Sequence, residues 1–462
     1  MKIKIKNLGA LKQAEFMLGD MTIICGGNNT GKTYATYALF GFLTYWRDGL
    51  AINIPEKYIN QLMADGVVHI NIEEYLSKVP DILAKACEAY TDKLPMVFAA
   101  SADRFKDSEF KVTIEKSEIQ VFDSYRRRMK NANAVIFTIT KHEDSSDLEI
   151  TLLVEQDKLK IPRKAIIRRI QDALIDIIFS RLFPNPFIAS AERTGAAIFG
   201  KELNFARNRL LEEMSQSEEN INPMELLLKG YQDYALPVKE NLEFTRQLKT
   251  MAKSSSFIVE NHSEVLEDFA DIIGGQYSVT RNDELYYIPK GKRVVKLTMD
   301  ESSSAVRSLL DVGFYLKHIA KPGDLLIIDE PELNLHPENQ CRVARLFARL
   351  VNIGIKVFIT THSDYIIKEL NTLIMLNHAK PHLQRIAKQE GYKPEELISS
   401  DRIKVYIAEQ APVKLDGGQR KTSCQTLTAA DIDPILGIEA RSFDKTIDKM
   451  NKIQEAIIWG GE

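Results

Sequence analysis

Cysteine is scarce in this chain and shows no paired spacing. The 462 residues include four cysteines, and no two of them form a C-x-x-C pair: Cys25, Cys87, Cys341 and Cys424. A disulfide scaffold and a C-x-x-C metal or redox site are therefore excluded as hypotheses. Scattered, unpaired cysteines are typical of a reducing compartment, so we expect a cytoplasmic protein.

Long apolar runs and a strong net charge are also missing. No run is long enough to predict a membrane span, so membrane contact is not expected. The formal net charge is -3, which excludes an overall basic field for nucleic acid but allows a local patch. Lysine and isoleucine alternate over residues 2–6, which predicts a strand rather than a signal peptide.

Repeats, low-complexity tracts and sustained heptads are absent as well, so a solenoid and a long coiled coil are excluded. Hydrophobic residues make up 44% and charged residues 27% of the chain, which is ordinary for a globular protein. The length suggests two or three lobes.

The sequence does contain three short segments that each follow an apolar strand. A glycine-rich loop follows residues 21–25, two carboxylates follow residues 324–328, and a histidine follows residues 357–361. Ligands of open α/β sheets bind at the carboxyl ends of the strands. We therefore expect the three segments to meet at one edge of one sheet.

The glycine-rich segment fits the phosphate-loop pattern G-x-x-x-x-G-K-[ST]. It reads Gly26-Gly27-Asn28-Asn29-Thr30-Gly31-Lys32-Thr33. The pattern predicts that the backbone N–H groups of residues 27–31 surround phosphates, with Lys32 reaching the β and γ oxygens and Thr33 binding Mg²⁺. The dipole of the following helix adds to this site. The alternative is a chance glycine turn.

The two carboxylates have different predicted roles. Asp329 is the expected Mg²⁺ partner, and Glu330 is placed to activate an attacking water. A solvated acidic pair is the alternative. His362 lies far enough beyond Asp329 for one crossover helix, at about residues 339–351, and so for a parallel neighbouring strand. We expect His362 to hydrogen-bond the γ-phosphate, with a purely structural histidine as the alternative.

These residues resemble the ABC-type ATPase superfamily, in its soluble recombination, DNA-repair and phage-defence branch. Its bacterial members carry an I-D-E-P-E-x-x-L-H-P block and a T-H-S block, matched here by residues 328–337 and 361–363. The resemblance implies an α/β fold: a P-loop ATPase head with a mixed sheet flanked by helices, an inserted β-rich and helical lobe, and a C-terminal appendage. It also implies ATP with Mg²⁺, bound between two copies of the chain.

The same resemblance implies a signature segment that contacts the ATP of the second copy. Residues 301–310 are the candidate, with Ser303 at the signature serine and Ser304 beside it. Family members usually have glycine where this chain has Ser304 and Ala305. A Cβ there crowds a close phosphate approach, so slow hydrolysis is expected. A serine-rich helix cap is the alternative.

Other signals leave their interpretation open. Arg193 lies in a segment similar to an S-x-E-R block of this branch, and packing between core and surface explains it equally well. Basic residues at 125–130 and 163–169 could contact nucleic acid, although a solvated helix face or a docking surface for an acidic partner is the more usual explanation. Asp431 and Asp433 form a D-x-D pair that we interpret as a turn, so no nuclease centre is expected in this chain.

The patterns predict five segments. They are the N-terminal part of the ATPase head at 1–48, an inserted helical and β lobe at 49–185, a strand plus helical arm at 186–272, the C-terminal part of the head at 273–378, and a C-terminal appendage at 379–462.

This layout resembles the ATPase subunits of two-gene bacterial anti-phage systems, and most of all those of the PARIS system. That resemblance implies a sensor and scaffold ATPase that assembles with itself as a dimer or ring. It would hold a separate nuclease effector, a toprim-type enzyme being favoured, and release it on sensing a phage protein. A Septu-type ATPase paired with an HNH nuclease, a DNA-repair or SMC-like ATPase acting directly on DNA, and a scaffold without useful turnover are the alternatives.

Overall fold

A computed structural model describes residues 1–131, 134–153, 162–197, 234–280, 284–291, 295–439 and 449–456. Parts of the predicted helical arm (198–233) and of the predicted C-terminal appendage (440–448 and 457–462) lie outside these described residues. The chain divides into two compact units. The first comprises Met1–Ile3, Phe42–Lys93 and Glu109–Pro184, and the second comprises Lys4–Gly41, Leu94–Ser108 and Asn185–Glu462.

The strands are β1 (Lys2–Leu8), β2 (Leu11–Met17), β3 (Met21–Gly26), β4 (Val67–Asn71), β5 (Glu109–Thr113), β6 (Tyr125–Asn131), β7 (Ala134–Lys141), β8 (Asp147–Leu152), β9 (Pro186–Ala189), β10 (Gly275–Val279), β11 (Leu285–Pro289), β12 (Leu325–Asp329), β13 (Lys356–Thr361), β14 (Ile403–Lys414), β15 (Lys421–Ala429), β16 (Ile432–Asp433) and β17 (Gly437–Ile438).

The helices are α1 (Lys32–Gly49), α2 (Glu56–Asp65), α3 (Glu73–Leu76), α4 (Val79–Thr91), α5 (Leu94–Phe98), α6 (Arg163–Phe179), α7 (Leu236–Met251), α8 (Phe257–Asn261), α9 (Ser263–Ile273), α10 (Ser304–Ser308), α11 (Leu310–His318), α12 (Pro337–Asn352), α13 (Asp364–Leu376) and α14 (Pro381–Gln389). Among the described residues, no helix is both long enough and apolar enough to cross a membrane.

The second unit is built on a mixed six-stranded sheet of order β15-β14-β3-β13-β12-β9. Five of its strands run parallel, and β15 pairs antiparallel with β14 at one edge. The N-terminal strand β3 lies between β13 and β14. Every residue of β3 and β12 is buried, which matches the continuous apolar runs of parallel strands covered on both faces. The predicted mixed α/β sheet is confirmed.

Helix α12 connects β12 to β13, and the two strands pair in parallel from Leu325 opposite Lys356 to Asp329 opposite Thr360. Its buried residues Val343, Phe347 and Leu350 recur at helical spacing and join the core of the unit. The helix begins at Pro337, a favoured first position because proline needs no hydrogen-bond partner for its nitrogen. The predicted crossover helix and parallel neighbour are both confirmed.

The first unit contains an antiparallel sheet of order β4-β8-β7-β6. Beside it, the Phe42 ring packs against those of Tyr90, Phe110 and Phe183, with ring centroids 5.5, 5.2 and 5.4 Å away. The interpretation of residues 125–130 as a helix face is wrong, since they form β6. Pairing with the apolar strand β7 outweighs the local helix propensity of the basic run.

Candidate nucleotide site

The glycine-rich loop joins the buried strand β3 to helix α1. Gly26 and Gly31 have φ of 141° and 94°, and Asn29 has φ of 60°. A Cβ on Gly26 would lie 2.6 Å from the carbonyl oxygen of Ala408, and one on Gly31 would lie 2.6 Å from Leu11 Cγ. Glycine is therefore required at both positions. Backbone that alternates between right- and left-handed conformations turns its N–H groups inward, as an anion-binding loop needs.

Lys32, the first residue of α1, is only 5% exposed. Its ammonium donates hydrogen bonds to the carbonyl oxygens of Gly26, at 3.2 Å, and Gly27, at 2.8 Å. Burial lowers the pKa of Lys32, while the carboxylates of Glu330 and Asp329 oppose this shift. The cation thus lies between the loop and the two predicted acidic residues.

Asp329 ends β12 and is 1% exposed. Its Oδ1 accepts a hydrogen bond from the Thr360 hydroxyl, whereas Oδ2 is buried without a hydrogen-bond partner among the described residues. Burial raises the pKa of Asp329, and the Thr360 hydrogen bond opposes this effect. A buried acceptor without a partner is costly unless a cation uses it. A carboxylate and a hydroxyl, here those of Asp329 and of the exposed residue Thr33, are oxygen donors of the kind that Mg²⁺ prefers.

Glu330 follows with φ of 52°, a left-handed conformation that is unusual for a residue with a side chain. Its N–H donates to the carbonyl and hydroxyl oxygens of Thr360, each at 3.2 Å. Its Oε1 lies 3.2 Å from His362 Nε2, and both side chains are about a quarter to a third exposed. The hydrogen bond with His362 lowers the pKa of Glu330, with burial opposing it, so this carboxylate is held ionised where water can reach it.

Glu332 lies beneath this pair, and sequence reasoning assigned it no role. Its Oε1 accepts a hydrogen bond of 2.6 Å from the backbone N–H of His362, while Oε2 is buried without a hydrogen-bond partner among the described residues. Burial raises the pKa of Glu332. This contact fixes the position of the His362 backbone directly after β13. The only sequence signal for it was its place in the matched E-P-E block.

Arg193 is 1% exposed and donates to four backbone carbonyl oxygens. Nε donates to Ser308 at 2.6 Å, Nη1 to Ser190 at 2.8 Å and to Asp329 at 2.6 Å, and Nη2 to Glu330 at 2.9 Å. Burial lowers the pKa of Arg193, and nearby carboxylates oppose this shift. Sequence reasoning left its role open. The structure places it directly behind the two acidic residues.

The signature candidates lie apart from this cluster in a single chain. Ser303 is the N-cap of α10, and its hydroxyl accepts a hydrogen bond of 3.3 Å from the N–H of Val306. Ser304 begins the helix, and Arg307 donates to the carbonyl oxygens of Ser302 and Met299. The helix-cap alternative therefore describes the contacts within one copy. A role across two copies stays a prediction.

One cavity of about 840 Å³ brings together Lys32, Thr33, Glu330 and His362 from among the predicted residues. Its walls are residues 28–34 of the loop and first helix, Ala10, and the side of the sheet that carries Glu330, Glu332, Leu333 and His362. Ligand cavities commonly have this size. The predicted residues Gly27, Asp329, Ser303 and Ser304 do not line it. Residues that follow three different parallel strands thus share one space, which can hold a triphosphate beside an ionised carboxylate.

The D-x-D pair belongs to a different part of the second unit. Asp433 Oδ1 accepts hydrogen bonds from the N–H groups of Ile435, at 2.7 Å, and Leu436, at 2.9 Å, as in a turn. Within the described ranges, no group of three or more histidine, cysteine or acidic side chains is arranged to hold a metal ion.

Comparison with known proteins gives one family and several distant structures. A solved SMC head bound to the C-terminal winged-helix domain of ScpA is 14% identical, with 92% of this chain and 97% of that chain covered and a TM-score of 0.33. The SMC head domain from Thermotoga maritima is 11% identical, with 93% and 98% covered and a TM-score of 0.30. The Smc head domain with an extended coiled coil bound to ScpA, from Pyrococcus furiosus, is 15% identical, with 98% of each chain covered and a TM-score of 0.30.

No curated protein matches the sequence. A family model described as "AAA ATPase domain" matches residues 1–367, which is well over half of the chain. The family implies the use of ATP, typically with Mg²⁺. The chain therefore belongs to the AAA ATPase domain family.

Proposed function

We propose that this chain hydrolyses ATP in the cavity over its glycine-rich loop, with Glu330 as the general base. One observation carries the proposal. The loop, Glu330 and Glu332 after β12 and the histidine after β13 border the same cavity, although almost three hundred residues separate the loop from the other two segments. A strained glutamate held ionised by a histidine, beside a buried lysine, is an arrangement suited to phosphoryl transfer to water.

Each residue has a defined part in this reaction. The N–H groups of residues 27–31 and the Lys32 ammonium hold the phosphates, and Thr33 and Asp329 hold Mg²⁺, which neutralises charge on the phosphate oxygens. Glu330 accepts a proton from the attacking water. At the same time the water oxygen bonds to the γ-phosphorus, and the bond between that phosphorus and the ADP oxygen breaks. His362 hydrogen-bonds the γ-phosphate and orients Glu330.

We propose that two copies close over each ATP. Ser303 and Ser304 of one copy then contact the γ-phosphate held by Lys32 of the other. The side chains of Ser304 and Ala305 keep the backbone at a distance, so turnover is slow. Support comes from the resemblance of residues 301–310 to the signature motif.

The biological role we propose is that of the sensor and scaffold subunit of a two-component anti-phage system. ATP-bound copies hold a separately encoded nuclease of the toprim type, and a phage protein triggers its release. The support is the resemblance of the motifs and layout to PARIS ATPase subunits. Direct action on DNA and pairing with an HNH nuclease are alternative outcomes of the tests.

Lys32→Ala tests the site. We expect it to abolish tight binding of a fluorescent ATP analogue, because the variant lacks the cation beside the phosphates. Lys249→Ala, an exposed lysine on α7, is the control and should bind normally. Wild-type affinity of Lys32→Ala for the nucleotide would refute the site.

The role is tested by expressing the chain together with its neighbouring gene and weighing the complex by native mass spectrometry. We expect a complex with a toprim-type nuclease, and protection of cells against phage that Lys32→Ala abolishes. An HNH partner would favour the Septu-type alternative. ATPase stimulation by DNA alone, without a bound nuclease, would favour the DNA-repair alternative.

A further inference from the structure

Arg193 contacts both helix α10 and residues 329–330 of the second unit. In the proposed function these two segments act on different ATP molecules of a dimer. Its Nε binds the carbonyl oxygen of Ser308, the last residue of the signature helix α10. Its Nη1 and Nη2 bind the carbonyl oxygens of Asp329 and Glu330. The peptide that carries the candidate base and the helix that would close on a second copy's ATP are thus held by one guanidinium.

This link is rigid because the guanidinium is planar and fully enclosed. Four of its N–H groups point in fixed directions at carbonyl oxygens, and the fourth acceptor is the carbonyl oxygen of Ser190, after β9. A lysine ammonium is a point charge on a flexible stem and cannot reproduce this fork. The carboxyl group of Asp311, on the helix after α10, is buried without a hydrogen-bond partner among the described residues.

The backbone of Glu330 can move little unless Arg193 moves with it. Its left-handed backbone is held on one side by Thr360, through the N–H, and on the other by Arg193, through the carbonyl oxygen. A displacement of the Ser308 carbonyl must therefore shift the guanidinium or break a hydrogen bond that is enclosed and charge-assisted, and such bonds are the strong ones.

We propose that Arg193 is a positioning residue that couples the two ATP sites of a dimer. When α10 of one copy closes on the ATP held by the second copy, Arg193 of the first copy transmits this movement to Glu330 of that same first copy. The proposal rests on the function proposed above. It makes hydrolysis at one site depend on whether the other site is filled. A residue that only stabilises the fold would lower both rates together and leave their ratio unchanged.

Mixed dimers of differently tagged full-length chains measure that ratio. Copy one keeps its own catalytic residues. Copy two carries either Glu330→Gln, whose site fills but does not turn over, or Lys32→Ala, whose site stays empty. We expect copy one to hydrolyse ATP about 5- to 150-fold faster beside the filled site than beside the empty one, the usual range of allosteric coupling. Arg193→Lys in copy one should bring this ratio to about one.

Arg349→Lys in copy one is the matched control. Arg349 is 4% exposed and pairs with Asp268 and Glu264 instead of the site, so its replacement should leave the ratio unchanged. All rates are taken at concentrations where native mass spectrometry shows complete dimers. A wild-type ratio near one, or a ratio unaltered by Arg193→Lys, overturns the coupling.

Failure of the underlying function has a different signature. If ATP produces no dimer, or if Glu330→Gln hydrolyses ATP normally, the proposed function fails and the coupling with it. If Arg193→Lys does not fold, the coupling is tested by amide hydrogen exchange of the Glu330→Gln variant with and without ATP. ATP must then slow exchange in residues 304–308 and 329–333 together, and protection of one segment alone overturns the coupling.

Discussion

Replacement of Glu330 by glutamine separates binding from chemistry at the candidate site. The change keeps the shape of the side chain and leaves an oxygen 3.2 Å from His362 Nε2, but it removes the carboxylate that would accept a proton. Lys32, Thr33 and Asp329 are unaltered. Binding of ATP should therefore survive, and it should tighten if it changes, because a negative charge near the triphosphate is gone.

The expected loss of rate follows from the role of a general base. A positioned base contributes about 10²- to 10⁴-fold, which corresponds to roughly 3 to 5 kcal/mol at about 1.4 kcal/mol for each factor of ten. The hydrogen bond with His362 keeps the pKa of Glu330 below its usual value, so the wild-type base is ionised at neutral pH and the whole effect should be visible there.

Steady-state phosphate release and equilibrium binding of ATP provide the two measurements. Glu338→Gln is the control, because that glutamate is 66% exposed and, among the described residues, its carboxylate pairs with Arg342 on the first turns of α12. We expect a normal rate for the control and a stalled, ATP-bound dimer for Glu330→Gln. Hydrolysis by Glu330→Gln at the wild-type rate would show that another group activates the water.

Three further changes have expected outcomes. Phe110→Ala should lower the free energy of unfolding by about 3 to 5 kcal/mol, because its ring is 1% exposed and packs against Phe42; a loss below about 1 kcal/mol in urea titrations would contradict this packing role. His362→Ala should move the acid limb of the kcat–pH profile to higher pH, since His362 is the main cause that lowers the pKa of Glu330; an unmoved limb contradicts it. Burial raises the pKa of Asp311 to about 7, so between about pH 4 and about pH 7 the native state keeps this proton while the unfolded chain loses it, and the contribution of Asp311 to stability should fall as pH rises through that range. Asp311→Asn should lack this fall, and parallel stability curves for the two proteins would contradict the assignment.

Structural features that depend on residues close together in the sequence could be predicted from it. The glycines at 26 and 31, the apolar run before Asp329 and the spacing to His362 are local patterns with a known structural meaning, so the loop, the parallel strands and α12 were foreseeable. Their common edge follows from the rule that parallel strands carry ligands at their carboxyl ends.

Contacts between distant segments could not be predicted in the same way. Arg193 binds carbonyl oxygens after β9, after β12 and at the end of α10, and backbone acceptors leave no trace in residue identity. The role of Glu332 is a contact with a backbone N–H thirty residues away. Residues 125–130 were misjudged because a basic run says nothing about the apolar strand that pairs with it.

The position of β3 has a consequence for the synthesis of this protein. Both of its hydrogen-bonded neighbours, β13 and β14, come from the far end of the chain. A ribosome that adds about 5 to 20 residues per second needs roughly 20 to 70 seconds between finishing β3 and finishing β13. During that interval the mostly apolar strand has neither of its native hydrogen-bonded neighbours and depends on shielding by other means. A shortened polypeptide released before β13 emerges cannot form the pocket at all.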